Sequence, residues 1–317
     1  MVLTFKGFGS SSRTMAAIGL LLASPVCATG QTLSGGSLVG KSFEGSLSPG
    51  QSVFGKHDFI EYIVGNLPII ISVPHGGYLK PSVIPDRTLG TAGHQDTKTL
   101  ELAGEIIESF RKETGKYPHV IINRLHRDKL DANRELFDAA QDDSIATVAW
   151  QEFHDFIDSA QHAIERESGR SLYIDLHGHR HTWQVVELGY LLVSNQLLMN
   201  DRQLDSLAAE PVTSFGDFFA RARFSPSRLI RGDLSFGALL QKNGIASVPS
   251  PGIPDPKANP YFSGGYNLEQ HSAFSGRKAW GVQVELPTGI REDDDRRRSF
   301  AAAFVRSALG FLSNMAE

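Results

Sequence analysis

The chain has 317 residues, of which 41% are apolar, and a formal net charge of −4 at neutral pH. These values are typical of a globular protein that buries a sizeable core. No basic run is interleaved with aromatic residues, so the sequence lacks the pattern that is typical of a nucleic-acid-binding protein.

The first 28 residues have the pattern of a secretory signal peptide. Lys6 and Arg13 are the only charged residues there, and they precede an apolar run over 15–23 that is too short to span a bilayer. The small residues Val26 and Ala28 predict cleavage after Ala28. We therefore expect an exported protein, secreted or periplasmic, with no membrane attachment after cleavage.

Cys27 is the only cysteine, and it lies in the segment that we expect to be removed. The mature chain would then have no thiol, which excludes disulfides, thiolate metal ligands and a cysteine nucleophile. Any metal ion must be bound by His, Asp or Glu side chains.

Beyond residue 28 the hydrophobic pattern alternates between strands and helices. Continuous apolar runs predict buried strands over 67–73, 119–122, 172–176, 187–193 and 280–286. Apolar residues at helical spacing predict helices over 97–114, 150–164 and 297–312. This alternation predicts an α/β fold, with a mostly parallel or mixed central sheet and helices on both faces. Residues 29–317 show no repeat and no linker, so we expect a single domain whose loops over 224–275 cover one edge of the sheet.

Polar side chains stand at the ends of three predicted strands. His75 follows the first strand, Asp175, His177 and His179 stand at the end of the third, and Glu285 lies near the end of the last. Ligands of open α/β sheets bind beyond the carboxyl ends of the strands. We therefore expect these side chains to contribute to one site.

His75 and His177 are candidate metal ligands, because neutral imidazole is the commonest kind of zinc ligand. The second ring nitrogen of His177 needs an orienting acceptor, which Asp175 on the same strand face or a backbone carbonyl could supply. The alternatives are a surface histidine cluster around His177 and a capping or core role for His75.

A catalytic zinc ion needs a third protein ligand and an open position for water. Asp96, just before the first long helix, is the best candidate. An aspartate at that position is also an excellent N-cap for the helix. Asp86 and His94 are the rival candidates for the third ligand.

Residues 123–135 form the densest polar stretch and directly follow the second buried strand. Asparagine stands beside arginine twice here, at Asn123-Arg124 and at Asn133-Arg134. A guanidinium fork with an amide donor suits a carboxylate, so the stretch predicts a substrate-binding segment. A solvated, salt-bridged loop is the alternative.

Glu285 lies on a strand whose opposite face is apolar. A carboxylate there is costly to bury unless it is paired. Beside a zinc-activated water it would be a natural general base. A half-exposed glutamate on the polar side of the sheet is the alternative.

These motifs resemble the N-formylglutamate amidohydrolase family of the zinc exopeptidase superfamily. The resemblance spans about residues 68–286 and rests on Ser72-Val73-Pro74-His75-Gly76-Gly77, Asp96, Asp131-Ala132-Asn133-Arg134, Asp175-Leu176-His177-Gly178-His179 and Val284-Glu285-Leu286. In one departure from the commonest superfamily spacing, Tyr78 stands where a glutamate would follow the first histidine by three residues.

The resemblance implies a zinc-exopeptidase architecture and a set of site residues. The ligands of one zinc ion per chain would be His75, Asp96 and His177. The catalytic residues would be Glu285 as the base and Arg127, or in its place Arg124, as the group that polarises the scissile carbonyl. The substrate-binding residues would be Asn133, Arg134, Arg124 and His179.

The implied activity is hydrolysis of an amide bond by zinc-activated water. The substrate would carry a free carboxylate, as in an N-acyl amino acid such as N-formylglutamate or the C-terminus of a peptide. An esterase or other metal hydrolase at the same site, and a binding protein that has lost catalysis, are the alternatives. A serine hydrolase is less favoured because the chain has no Gly-x-Ser-x-Gly motif.

Overall fold

The computed structural model of the protein describes residues 31–32, 47–90, 94–207, 213–216 and 224–316. The predicted signal peptide, residues 1–28, lies outside the described residues. Within the described ranges, no helix has the length and apolar character needed to cross a membrane.

The strands of the described residues form one mixed sheet. They are β1 (Gln31–Thr32), β2 (Ser52–Phe54), β3 (Ile60–Ile63), β4 (Ile69–Val73), β5 (His119–Asn123), β6 (Ser171–His179), β7 (Val186–Gly189), β8 (Ser247–Val248) and β9 (Ala279–Pro287). Their order across the sheet is β1-β2-β3-β5-β4-β6-β9-β7-β8. The central strands β5, β4, β6 and β9 run parallel, whereas β3 and β7 run antiparallel to their central neighbours.

The α-helices of the described residues connect and cover these strands. They are α1 (Thr99–Thr114), α2 (Leu136–Ala140), α3 (Ser144–Glu167), α4 (Ser194–Leu197), α5 (Asp201–Ser206), α6 (Pro226–Ile230), α7 (Phe236–Lys242), α8 (Tyr266–His271), α9 (Thr288–Arg291) and α10 (Asp294–Ala316). Helix α3 begins at Ser144 because the Asp143 carboxylate accepts hydrogen bonds from the first free backbone N–H groups, those of Ile145 and Ala146.

Two hydrophobic layers lie on opposite faces of the sheet. Ile69, Ile71 and Val73 of β4 pack in the layer that contains α1, α7 and α10. Ile70 of the same strand packs in the layer that contains α3. Burial on both faces explains why this strand is a continuous apolar run. The predicted α/β fold, with helices on both faces of a mixed sheet, is confirmed.

The largest difference from the predicted elements concerns the strand expected over 187–193. Strand β7 ends at Gly189, and Leu191 adopts a left-handed φ of 66°. The chain leaves the sheet here because the Leu191 N–H donates to the Ser263 carbonyl of a neighbouring loop. A Cβ at Gly189 would lie 2.7 Å from the Ser263 carbonyl carbon, so only glycine permits this approach.

Candidate metal centre

The parallel strands place the predicted polar residues at one edge of the sheet. β4 ends at Val73, two residues before His75, and β6 and β9 carry His177 and Glu285 near their carboxyl ends. His177 and Glu285 lie directly opposite each other in the register of β6 and β9. Side chains of paired residues share a face of the sheet, so both point into the same space.

Three ligand-type side chains converge there, and we call His75, Asp96 and His177 the first histidine group. Asp96 Oδ2 lies 3.2 Å from His75 Nδ1 and 3.0 Å from His177 Nδ1. The donor atoms of all three residues lie within 4.8 Å of one another, and all three side chains are buried. Two nitrogens and a carboxylate oxygen in this arrangement suit a zinc ion that keeps one position open.

The predicted role of Asp96 as a helix N-cap is wrong. Helix α1 begins at Thr99, its N-cap residue is Lys98, and Asp96 contributes its backbone carbonyl to the Thr99 N–H. The Asp96 carboxylate turns away from the helix, accepts from the Gly178 N–H at 3.2 Å and lies beside the Nδ1 atoms of both imidazoles. Its side chain is therefore available to a metal ion.

Each histidine of the first group contacts a second carboxylate through its other ring nitrogen, Nε2. His75 Nε2 lies 2.6 Å from Asp131 Oδ1, and His177 Nε2 lies 2.9 Å from Asp175 Oδ2. Such carboxylate partners fix the ring orientation and place the proton on Nε2, which leaves the Nδ1 lone pair for a metal. Asp175 has the orienting position that its strand face predicts.

The role of Asp131 behind His75 was missed in the sequence. Arg127 Nε donates to Asp131 Oδ2 at 2.9 Å, and the Asn133 N–H donates to Oδ1 at 3.1 Å. Ser72 Oγ donates in the same way to Asp175 Oδ1, at 2.6 Å. Both supporting carboxylates are fully buried, so their own hydrogen bonds offset the cost of burying their charge. The start of the Asp-Ala-Asn-Arg segment thus supports the candidate ligand His75 and does not line the cavity.

The electrostatics of the first group favour ionised partners. Burial alone would raise the pKa of Asp96, but the charge on His75 and hydrogen bonds from both imidazoles lower this pKa below its ordinary value. Burial alone would lower the pKa of His177, but the charge and hydrogen bond of Asp175, the hydrogen bond of Asp96 and the charge of Glu285 raise it well above the ordinary value. The carboxylates therefore supply a negative field that attracts a cation.

Glu285 is buried beside this group, and Gln283 Nε2 donates to its Oε1 at 3.0 Å. Burial raises the pKa of Glu285 to about 8; the charge on His177 acts in the opposite direction, and Asp96, Glu187 and Asp175 add to the increase. A carboxyl group with a pKa near the working pH can both accept and release a proton.

One cavity of about 370 Å³ is lined by the first histidine group and by Glu285. Its lining residues are His75, His94, Gln95, Asp96, Arg127, Asn133, Arg134, His177, Gly178, His179, Arg180, His181, Phe262, Gly264, Gly265, Gln283 and Glu285. Arg134 donates to the Asn133 carbonyl; its charge helps to lower the pKa of Asp131, but it forms no ion pair within 4.0 Å among the described residues. A cavity-lining guanidinium without an acidic partner suits a substrate carboxylate.

Several predicted residues are placed differently. Asn133 lines the cavity, but its Oδ1 accepts from the Asn267 N–H and its Nδ2 lies 3.2 Å from His177 Nε2. Arg124 lies outside the cavity, because its guanidinium donates to the Asp58 carbonyl and lies over the Phe54 ring. The Arg124 N–H donates to the Phe59 carbonyl, which holds this residue toward β3.

The rivals of Asp96 as third ligand are also placed by the structure. Asp86 is exposed and forms an ion pair with Lys129 at 2.8 Å, away from the cavity lining. His94 lines the cavity with an exposed side chain, and its backbone carbonyl accepts from Arg127. Neither belongs to a buried group of convergent donors among the described residues, whereas Asp96 does.

His179, His181 and Glu187 form a second histidine group at the cavity wall, with donor atoms also within 4.8 Å of one another. His179 Nε2 donates to the Val185 carbonyl at 2.9 Å, and Nδ1 accepts from the His181 N–H at 3.2 Å. Both ring nitrogens are therefore engaged, and burial lowers the pKa of His179 to about 4. His179 keeps a neutral ring with no lone pair free for a metal ion.

Arg291 is a site-supporting residue that the sequence did not reveal. It is fully buried and donates to the backbone carbonyls of Thr97, His179 and Leu286. These three carbonyls lie within two residues of Asp96, His177 and Glu285. One side chain thus ties together the three segments that carry a predicted ligand or base.

No protein-family model and no curated protein sequence matches this chain. Among solved structures, similar chains include an Agrobacterium tumefaciens gene product, with 12% identity, TM-score 0.49 and coverage of 81% of this chain and 94% of that chain. The N-formylglutamate amidohydrolase of Ralstonia eutropha JMP134 has 14% identity, TM-score 0.47 and coverage of 77% and 93%. The succinylglutamate desuccinylase of Chromobacterium violaceum has 13% identity, TM-score 0.39 and coverage of 80% and 65%. These similarities concern the fold alone. The chemistry of the site depends on the residues of this chain.

Proposed function

We propose that this protein is a zinc-dependent hydrolase of an amide bond in a small substrate that carries a free carboxylate. One observation supports this above all. Two imidazole Nδ1 atoms and the Asp96 carboxylate converge in a cavity, and each imidazole is backed by a buried carboxylate. This donor set fits one zinc ion per chain.

A bound zinc ion would polarise the acyl carbonyl and lower the pKa of water in the open position. Glu285 then removes the proton of the attacking water and delivers it to the leaving nitrogen, for which its raised pKa and its position opposite His177 are suited. Its hydrogen bond from Gln283 holds the carboxylate toward the cavity.

The arginines of the cavity take separate roles in this proposal. Arg127 is held in place by Asp131 and the His94 carbonyl, so its guanidinium is preorganised to stabilise charge on the scissile carbonyl oxygen. Arg134 lines the cavity without an acidic partner and binds the substrate carboxylate. Asn133 borders Arg134 and holds the loop that closes this side of the cavity.

The substrate class is an N-acyl amino acid or the C-terminal end of a peptide. Export through the predicted signal peptide would place this activity in the periplasm or outside the cell. A small-molecule or peptide partner is consistent with the cavity volume of about 370 Å³.

The carboxylate contact is tested by replacing Arg134. Zinc-loaded protein is assayed with N-acyl amino acids and short peptides, each with a free and an amidated carboxylate. Loss of one charge-assisted contact costs on the order of 2 kcal/mol, so free carboxylates should be preferred by roughly thirtyfold in kcat/KM. Arg134→Ala should abolish that preference, whereas the control Arg124→Ala, outside the cavity, should keep it.

Other outcomes separate the alternatives. If Arg134→Ala keeps the preference for free carboxylates, the substrate carboxylate is bound by Arg180, which also lines the cavity. Hydrolysis of acyl esters without any hydrolysis of amides would identify an esterase. Stoichiometric zinc with no turnover of any acyl substrate would identify a binding protein on the same fold.

A further inference from the structure

An aromatic pair, His181 and Phe262, forms one part of the cavity lining. Their ring centroids lie 4.8 Å apart and their planes differ by 16°, so the two rings are stacked. Phe262 is 44% exposed, and His181 covers one face of its ring, so the exposed surface belongs to the other face and the ring edge. An exposed aromatic ring in a cavity wall is available to stack on a bound molecule.

The fully buried carboxylate of Glu187 holds both members of the aromatic pair. Its Oε1 lies 2.7 Å from His181 Nδ1, and its Oε2 accepts from the Phe262 N–H at 2.8 Å. A carboxylate is costly to bury unless its oxygens have partners, so these contacts are maintained in the folded protein. The aromatic pair is therefore held in place before a ligand binds, which lowers the entropic cost of binding.

The strand register places the aromatic pair beyond Glu285. His177, Glu285 and Glu187 lie side by side on β6, β9 and β7, which are neighbours in the sheet. Side chains of paired residues share a face of the sheet, so these three form one row. The row begins at the first histidine group, continues through Glu285 and ends at the Glu187 carboxylate that holds the aromatic pair.

The loop from Phe262 to Gly265 runs from one end of this row to the other. It begins at the aromatic pair, and at Gly265 a Cβ would lie 2.8 Å from Asn133 Nδ2. The same Nδ2 lies 3.2 Å from His177 Nε2. Arg134 follows Asn133 in the chain and donates to its carbonyl. Arg134 therefore lies at the His177 end of the cavity, and the aromatic pair lies at the opposite end.

The positions of these two ends give the direction of a bound substrate under the proposed function. The substrate carboxylate contacts Arg134, and the scissile carbonyl lies between the candidate metal ligands and Glu285. The acyl chain and the amide nitrogen are on different sides of the carbonyl carbon, so the acyl chain extends past Glu285 toward Phe262. A formyl group has no carbon beyond the carbonyl and an acetyl group has a single methyl, so neither covers the ring of Phe262, whereas a benzoyl ring would stack on its free face.

Resting on the proposed function, we propose that Phe262 determines the acyl-group specificity and that the substrates are N-aroyl amino acids, in which the acyl group carries an aromatic ring. Stacking of that ring on Phe262 removes apolar surface of both rings from water and adds the attraction between two aromatic rings. N-formyl and N-acetyl amino acids lack this contact and are therefore poorer substrates.

The test measures binding of ligands that cannot be hydrolysed to zinc-loaded protein by calorimetry, so that it does not depend on turnover. The ligands are analogues of N-benzoylglycine, N-acetylglycine and N-acetylphenylalanine in which a CH₂ group replaces the amide nitrogen. The benzoyl analogue should bind about tenfold more tightly than either acetyl analogue. Phe262→Ala, with its zinc content verified, should bind the analogues of N-benzoylglycine and N-acetylglycine equally. The control Phe137→Ala, exposed on α2 and outside this cavity, should keep the wild-type preference.

Equal binding of the benzoyl and acetyl analogues to the wild type would overturn the proposal, as would a benzoyl preference that survives in Phe262→Ala or the absence of binding by all three ligands. Tightest binding of the N-acetylphenylalanine analogue, lost in Phe262→Ala, would overturn it too, because the amino-acid side chain would then contact Phe262. Failure of the proposed function looks different, because the benzoyl preference would persist while the wild type hydrolyses no acyl substrate.

Discussion

The first and second histidine groups lie side by side at the carboxyl edge of the sheet, yet His179 of the second group differs from His75 and His177 in what holds its ring nitrogens. His75 and His177 face carboxylates through Nε2. His179 donates to a backbone carbonyl and accepts from a backbone N–H, so both of its nitrogens are used. His181 does face a carboxylate, Glu187 Oε1 at 2.7 Å, but with both nitrogens of His179 engaged the second group offers fewer than the three ligands of a zinc site.

The directions of the pKa shifts agree with this comparison. Despite burial, the charge and hydrogen bond of Asp175 raise the pKa of His177. Burial without a strong carboxylate contact lowers the pKa of His179 to about 4. His119, whose Nδ1 contacts the Tyr62 hydroxyl at 2.7 Å, has no acidic partner among the described residues, and burial lowers its pKa to about 4.

The largest expected effect concerns Glu285, the proposed base beside the first group. Glu285→Gln keeps the size of the side chain but cannot accept a proton, so turnover should fall by about three orders of magnitude while the zinc content is retained. The matched control is Glu187→Gln, opposite Glu285 on β7 but part of the second group. Rates and metal content of both variants are measured together. If Glu285→Gln loses the metal, Glu285 is a ligand; if it keeps metal and rate, the base lies elsewhere.

A smaller effect is expected from the carboxylates behind the ligands. Asp131→Asn keeps the shape but weakens the hydrogen bond that orients His75, so zinc affinity should fall roughly 10- to 100-fold. Titration against a competing chelator measures this loss. Glu187→Gln, which alters the second group, should leave the affinity unchanged. Equal losses of zinc affinity in Asp131→Asn and Glu187→Gln would show that the two histidine groups do not differ in zinc binding.

The smallest effect concerns stability and a histidine without an acidic partner. His119 binds protons more weakly in the folded state, with a pKa of about 4 against an unfolded value of 6.5. The unfolded chain therefore binds more protons between these values, and the stabilising contribution, complete above pH 6.5, is lost as the pH falls toward 4. From pH 7 to pH 5 the loss should be about 2 kcal/mol.

Urea unfolding of the wild type and His119→Gln at both pH values isolates this contribution. The variant should be less stable at pH 7, yet it should lose about 2 kcal/mol less on acidification. The same pH dependence in both proteins would show that His119 is not held neutral by its surroundings.

The sequence predicts the ends of the parallel strands better than that of the antiparallel β7, because buried parallel strands are apolar runs and the polar residues that follow them are conspicuous. The placement of side chains that depend on contacts with residues distant in the sequence is harder to predict. Arg124 follows a strand just as His75 does, but the neighbouring β3 holds it outside the cavity. Asp131 and Arg291 support the site through partners 56 and 194 residues away. For Gln283, the two-residue spacing from Glu285 was the available signal, because it places both side chains on one strand face.

The metal content of four alanine variants tests the central claim most directly. Purified wild-type protein, dialysed and analysed by elemental spectroscopy, should contain about one zinc ion per chain. His75→Ala and His177→Ala should contain almost none, because each removes one of only three protein ligands, whereas His179→Ala and His181→Ala should retain about one. Full zinc occupancy in both His75→Ala and His177→Ala, or loss of zinc in His179→Ala, would contradict the assignment of the metal to the first histidine group.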